Sequence, residues 1–382
     1  KDTWDATKEV TKEGWDKTKG IISTESDSEE IHIKISRKRA LELFDDVTDF
    51  FDDITELKIK RKDAPKSSFF STTKSSYDSK IKKLLNEMSA LINDPQINED
   101  RITLSLIDEK IQESKELKSS YLSKSILSVG GDKEDLIDDA DDEEENIKEY
   151  KESRQALIHR VKNRLDGYGL YLDDNQVEVL LSRVDADDII KMTTIFSVIS
   201  ELTKQLSESM SFSGENLLIA KKYYGFHVIL LELQMYIQKT YISQLQDVYI
   251  LNLSKINNNN EELMDKTKRL IRTSDETRKK IYNGNLKSQQ YTKKVIDLYR
   301  SILRTDLRKI KEGLSKNIKN YQVALNTYST VSISSDLAAL MSENQDLFKE
   351  IMSLQVPELI PFENLQMQKE FESLSVKISN YK

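Results

Sequence analysis

The sequence has no cysteine, which removes disulfides, thiolate metal ligands and cysteine nucleophiles together. Four prolines and ten glycines in 382 residues fall well below the roughly 5 % and 7 % of average proteins, so few tight turns interrupt the chain. Histidine is nearly absent as well. His32, His159 and His227 are scattered, and none belongs to a Glu-x-x-His pair of the kind that builds a di-iron centre in a helical bundle. Neither GxxxxGK[ST] nor GxGxxG occurs, so the phosphate-cradling loops of nucleotide enzymes are missing. Gly167-Tyr168-Gly169 comes nearest, but it lacks the third glycine and a preceding strand, and reads as a helix terminator. Asp185, Asp187 and Asp188 suggest a calcium loop, yet the sixth and twelfth positions hold Ile190 and Phe196 where glycine and glutamate are needed. From these absences we expect no cofactor, no metal and no small-molecule substrate, and a protein that is not an enzyme.

What remains is charge and helical periodicity. Charged residues make up 32 % of the chain, and apolar residues recur every three to four positions almost throughout. Only Ile31-His32-Ile33-Lys34-Ile35 alternates like a strand. The expected class is all-α, an elongated, coiled-coil-like bundle of long antiparallel helices. Its centre is the stretch Asn216–Ile256, which holds one glycine and no proline. As one continuous helix it would be roughly 60 Å long. One apolar stripe passes through Leu217, Tyr224, Val228, Leu231 and Met235, and a second through Phe226, Leu230, Leu233, Ile237 and Tyr241. A helix apolar on more than one face must be covered on more than one side. Glu232, Gln234, Gln238 and Lys239 break the run before the ~20 apolar residues that a membrane span requires.

The formal net charge of −8 argues against a dedicated nucleic-acid binder, so no nucleic acid is expected as a partner. The charge is unevenly spread. Residues 134–145 read EDLIDDADDEEE, whereas 266–319 carry seventeen Lys and Arg against five Asp and Glu. Tyr282, Tyr291, Tyr299 and Tyr321 lie among those cations, where aromatics can stack bases, but they fall near an apolar stripe that bundle packing explains.

The chain divides into four regions. Residues 1–30 are an amphipathic arm and acidic linker, and 31–128 a helical hairpin region in which 68–127 form an αα-hairpin turning at Asn93-Asp94-Pro95-Gln96. Residues 129–145 are an acidic linker opened by Val129-Gly130-Gly131, and 146–382 a C-terminal bundle. Within the last, Asp174 or Asn175 can cap a helix, Glu178 standing as the capping-box partner of Asn175, and the spacing predicts a break at Asp185-Ala186-Asp187-Asp188, a four-asparagine turn at 257–260 and a kink or turn at Asn283-Gly284-Asn285.

In the arm, Trp4-Asp5-Ala6-Thr7-Lys8 recurs eleven residues later as Trp15-Asp16-Lys17-Thr18-Lys19. An eleven-residue period is 3.67 residues per turn, which holds Trp4, Thr11, Trp15 and Ile22 on one face of a nearly straight helix. The pattern resembles the eleven-residue repeats of late-embryogenesis-abundant proteins and synucleins, over about 20 residues. That resemblance implies folding on a membrane surface or on drying. The alternatives are a solvated end and a helix docked on the main body by its tryptophans.

The chain begins at Lys1 and lacks cysteine, which suits an exported, periplasmic protein, with the cytoplasm as the alternative. The expected function is a non-enzymatic helical scaffold or interaction protein of a cell-envelope or secretion-type assembly, tethered by its N-terminal arm. Its partners would be other proteins or further copies of itself, with peripheral membrane contact through residues 1–22. The rival readings are a membrane-active, pore-forming-type helical protein and a cytoplasmic coiled-coil adaptor.

Overall fold

The computed structural model describes residues 35–68, 71–212, 217–330, 337, 350–351, 357 and 359–381. Among them there are helices and connecting turns, and no strand. The protein is all-α. The Ile31–Ile35 alternation lies outside the described residues except for Ile35, which opens a helix. By its internal contacts the chain divides into two compact units.

The larger unit begins with α1 (Ile35–Asp63) and α2 (Lys74–Ile92). The smaller unit is built on α3 (Pro95–Ser125) and α4 (Gly131–Gly167). A short helix, α5 (Asp174–Leu181), precedes the rest of the larger unit. That remainder comprises α6 (Ala186–Phe212), α7 (Leu217–Ser243), a π-helical segment (Gln244–Tyr249), α8 (Ile250–Thr273), α9 (Glu276–Thr330) and α10 (Leu365–Asn380).

In the smaller unit α3 and α4 run antiparallel, held by a ladder of ion pairs. Asp94 meets Arg164 at 2.6 Å, Asp100 meets Arg160, Asp108 meets Arg154 at 2.7 Å and Lys118 meets Glu144 at 2.7 Å. Ile97, Leu104, Ile107 and Ile111 on α3, and Leu157, Ile158, Val161 and Leu165 on α4, are buried. The turn at 93–94 is therefore where the spacing predicts it, but the arms it joins take other partners. Residues 74–92 pack on α1, and residues 95–125 pair with 131–167, whose arginines match the aspartates rung by rung. The acidic run 134–145 is likewise not an extended linker but the first half of α4. Its charges lie toward the positive end of the helix dipole, beginning with Asp132 and Glu134 in the first turn.

The larger unit is organised around α7. Phe226 to Leu231 are six consecutive buried residues, possible only when helices pack on every side. α1, α2, α6 and α9 supply that cover. The apolar stripes on two faces require such wrapping. The long helix is longer than expected, however, and continues through the π segment into α8 as far as Thr273. Residues 257–260 make no turn. Asn257 bonds Glu261, and Asn260 reaches the carbonyl of Gln289 on α9, so these asparagines are helical residues with partners. Asn283-Gly284-Asn285 is no kink either, for α9 passes through it unbroken. One exposed glycine costs a helix only about 1 kcal/mol, too little to break one of 55 residues.

α9 returns antiparallel to α7. Tyr328 lies 3.4 Å from where a Gly225 Cβ would stand, and Asn317 donates to Gln238 at 2.7 Å. The helix before α5 ends at Gly167, and Gly169 follows with φ +83°, a backbone that other residues reach only at a cost. The capping box lies two residues before its predicted place. Asp173 accepts from the Gln176 amide at 2.9 Å, and Gln176 accepts from the Asp173 amide at 3.0 Å.

Candidate functional site

Trp4, Thr11, Trp15 and Ile22, the predicted contact face, lie outside the described residues. The densest chemistry among those described is a buried polar junction in the larger unit. Arg183 sits in the break between α5 and α6 and donates from both Nε and Nη2 to Asp185 at 2.8 Å. The same guanidinium bonds Asp306 on α9. Tyr241 on α7 donates to Asp185 at 2.7 Å. Tyr299 on α9 accepts from the Val184 amide at 2.6 Å and shares a 2.8 Å hydrogen bond with Ser375 on α10. Its ring stacks on Phe371 with centroids 3.9 Å apart.

The π segment belongs to the same neighbourhood. A π turn holds one residue more than an α turn, so it rotates the helix beyond it. Tyr249, its last residue, donates to Asp188 in the first turn of α6 at 2.7 Å.

The electrostatics are set by depth. Burial opposes the charge on Arg183, but the adjoining Asp185 and then Asp306 outweigh it and hold the pKa well above the ordinary value. Burial, reinforced by Asp185, also raises Tyr241 and Tyr299, and burial with Asp188 raises Tyr249. At neutral pH these phenols keep their protons. They are hydrogen-bond donors rather than bases, and the guanidinium is a fixed cation. What the cluster does chemically is tie helices together. The loop between α5 and α6, together with α6, α7, α9 and α10, is joined at one buried point.

Beside Arg183 lies a cavity of about 80 Å³, walled chiefly by Val179, Leu298, Ile302, Pro361 and Phe371. That is room for a few waters at about 30 Å³ each, and far below the ~300 Å³ of a typical ligand pocket. Elsewhere on α7, His227 is buried with Tyr224 edge-on at 5.7 Å, and burial pushes its pKa down to about 4. It is a neutral core histidine.

Among the described residues no group of three or more His, Asp or Glu could hold a metal ion. No described helix is long and apolar enough to cross a membrane. The aspartates considered for calcium serve other ends, Asp185 receiving Arg183 and Tyr241, and Asp188 receiving Tyr249. The junction itself was not legible in the sequence, because Asp306 is 123 positions from Arg183 and no local spacing connects them. The only hint was the run of aspartates at a helix break.

The surface carries the two charged regions. Lys266, Arg269, Arg272, Lys280 and Lys287 are exposed on the α8–α9 hairpin, while Glu134, Asp135, Asp138 and Asp139 are exposed on α4. No family model, no curated protein and no solved structure matches the chain.

Proposed function

We propose that this protein is a non-enzymatic helical scaffold, exported to the periplasm as part of a cell-envelope or secretion-type assembly. Long helices act as spacers, and residues 1–22 act as the tether to a membrane surface or a protein partner. One observation carries the reading. The densest buried polar chemistry in the described chain, from Arg183 to Ser375, is engaged in bonds between helices, with every phenol in a hydrogen bond and no ligand-sized space beside it. Two long charged surfaces of opposite sign remain open to solvent.

Deleting residues 1–30 tests the tether. The truncated chain is expected to lose co-sedimentation with lipid vesicles, or cross-linking to its partner, while its melting transition stays that of the full chain. Binding retained after the truncation would remove the tether.

A further inference from the structure

Resting on the scaffold reading, we infer that the protein associates with a second copy of itself, the basic α8–α9 hairpin of one copy seating on the apolar, acidic tip of the α3–α4 hairpin of the other. Among the described residues, each surface is left unpaired by its own unit. At the α3–α4 turn, Ile126, Leu127 and Val129 are 80 %, 88 % and 85 % exposed. Singly exposed apolar residues are ordinary, but three of this size within four positions are not. The first turns of α4 continue that tip with Glu134, Asp135, Asp138 and Asp139, none of which makes an ion pair among the described residues.

The α8–α9 hairpin is the complement in charge. Between residues 261 and 290 its hydrogen bonds stay within the hairpin among the described residues. No α9 residue before Val295 is buried, so the hairpin presents both helices to solvent. Lys268, Arg278 and Lys279 are neutralised by carboxylates three positions away, whereas Lys266, Arg269, Arg272 and Lys280 have no such partner. Leu263 and Ile281, 52 % and 60 % exposed, give this surface an apolar component as well. Apolar contact ringed by opposite charges is the usual anatomy of a specific interface. Lys124 and Lys133 flank Ile126–Val129, but the exposed face that continues from them, Glu134 to Asp139, is acidic and would repel an anionic lipid headgroup, so a basic protein surface is the better fit for that tip.

Sedimentation velocity of the full chain tests this. The wild type is expected to show a mass that rises with concentration at low salt and falls toward the monomer near about 1 M salt, where the Debye length is about 3 Å. Reversing the tip (Glu134→Lys, Asp135→Lys, Asp138→Lys) or the hairpin (Arg269→Glu, Arg272→Glu, Lys280→Glu) is expected to weaken association more than about tenfold. Both reversals in one chain should restore it, which also shows that the variants fold. A 1:1 mixture of the two single reversals should associate, because each supplies one unaltered surface. A wild type that is monomeric at every concentration and salt, or reversals that associate as the wild type does, would overturn the inference. A monomer that still loses vesicle or partner binding on deletion of residues 1–30 would leave the scaffold reading standing.

Discussion

The α3–α4 hairpin and the interior of the larger unit both join helices through arginine and aspartate, at very different depths. In the hairpin the pairs form a gradient. The carboxylates of Asp94 and Asp100 are buried at 0 % and 1 % exposure, whereas those of Asp108 and Glu144 are 52 % and 69 % exposed toward the tip. In the larger unit Arg183, Asp185 and Asp306 are all at or below 4 %. The same chemistry therefore carries different stakes. An exposed pair trades protein partners for water at little net gain. A buried charge has no water to fall back on, so removing its partner leaves it stranded.

The largest effect is expected for Arg183→Met. It removes the cation between two buried carboxylates and is expected to cost about 3–5 kcal/mol, read by denaturant unfolding of the larger unit. Adding Asp185→Asn and Asp306→Asn should recover part of that loss. A single-variant loss below about 1 kcal/mol would mean that the junction is solvated after all.

Acidity probes the same interior. His227 titrates near 4 in the folded chain and near 6.5 when unfolded, so the unfolded chain takes up the proton first as pH falls. Its contribution is fully present above about pH 6.5 and is lost progressively toward pH 4, by ~3 kcal/mol in total. Melting curves between pH 7 and pH 4 should show a shallower decline for His227→Gln than for the wild type. Equal slopes would assign the acid sensitivity elsewhere.

Within the hairpin the gradient itself can be tested by hydrogen exchange on α3 and α4. Arg160→Ala leaves the buried Asp100 without its guanidinium, at an expected cost of about 1.5–3 kcal/mol. Lys118→Ala, whose partner is mostly exposed, should change protection by no more than about 0.5 kcal/mol. Equal effects would mean that depth does not set the worth of the rungs.

Several features were legible in the sequence. A helix break and restart is found at the aspartate run, though the break itself is 182–185 and Ala186–Asp188 already open α6, and the chain turns at Asn93–Asp94 between α2 and α3. Two of the differences share one cause, a local signal that distant partners overrode. Asparagine and glycine predict turns in an isolated chain, yet Asn260 on a helix paired with α9 finds its hydrogen bond at Gln289. Adjacent amphipathic segments suggest a hairpin, yet the matching arginines for Asp94, Asp100 and Asp108 lie beyond the next turn, at 164, 160 and 154.

By itself the sequence determined the class and the central element. Apolar spacing of three to four residues, few glycines and few prolines leave the backbone little choice but helix, and a helix apolar on several faces must be covered. Which helices cover it, and which arginine meets which aspartate, only the tertiary structure decided. Amphipathic stripes are nearly interchangeable as partners, so the choice rests on pairings between residues as far apart as Arg183 and Asp306, which no local pattern encodes.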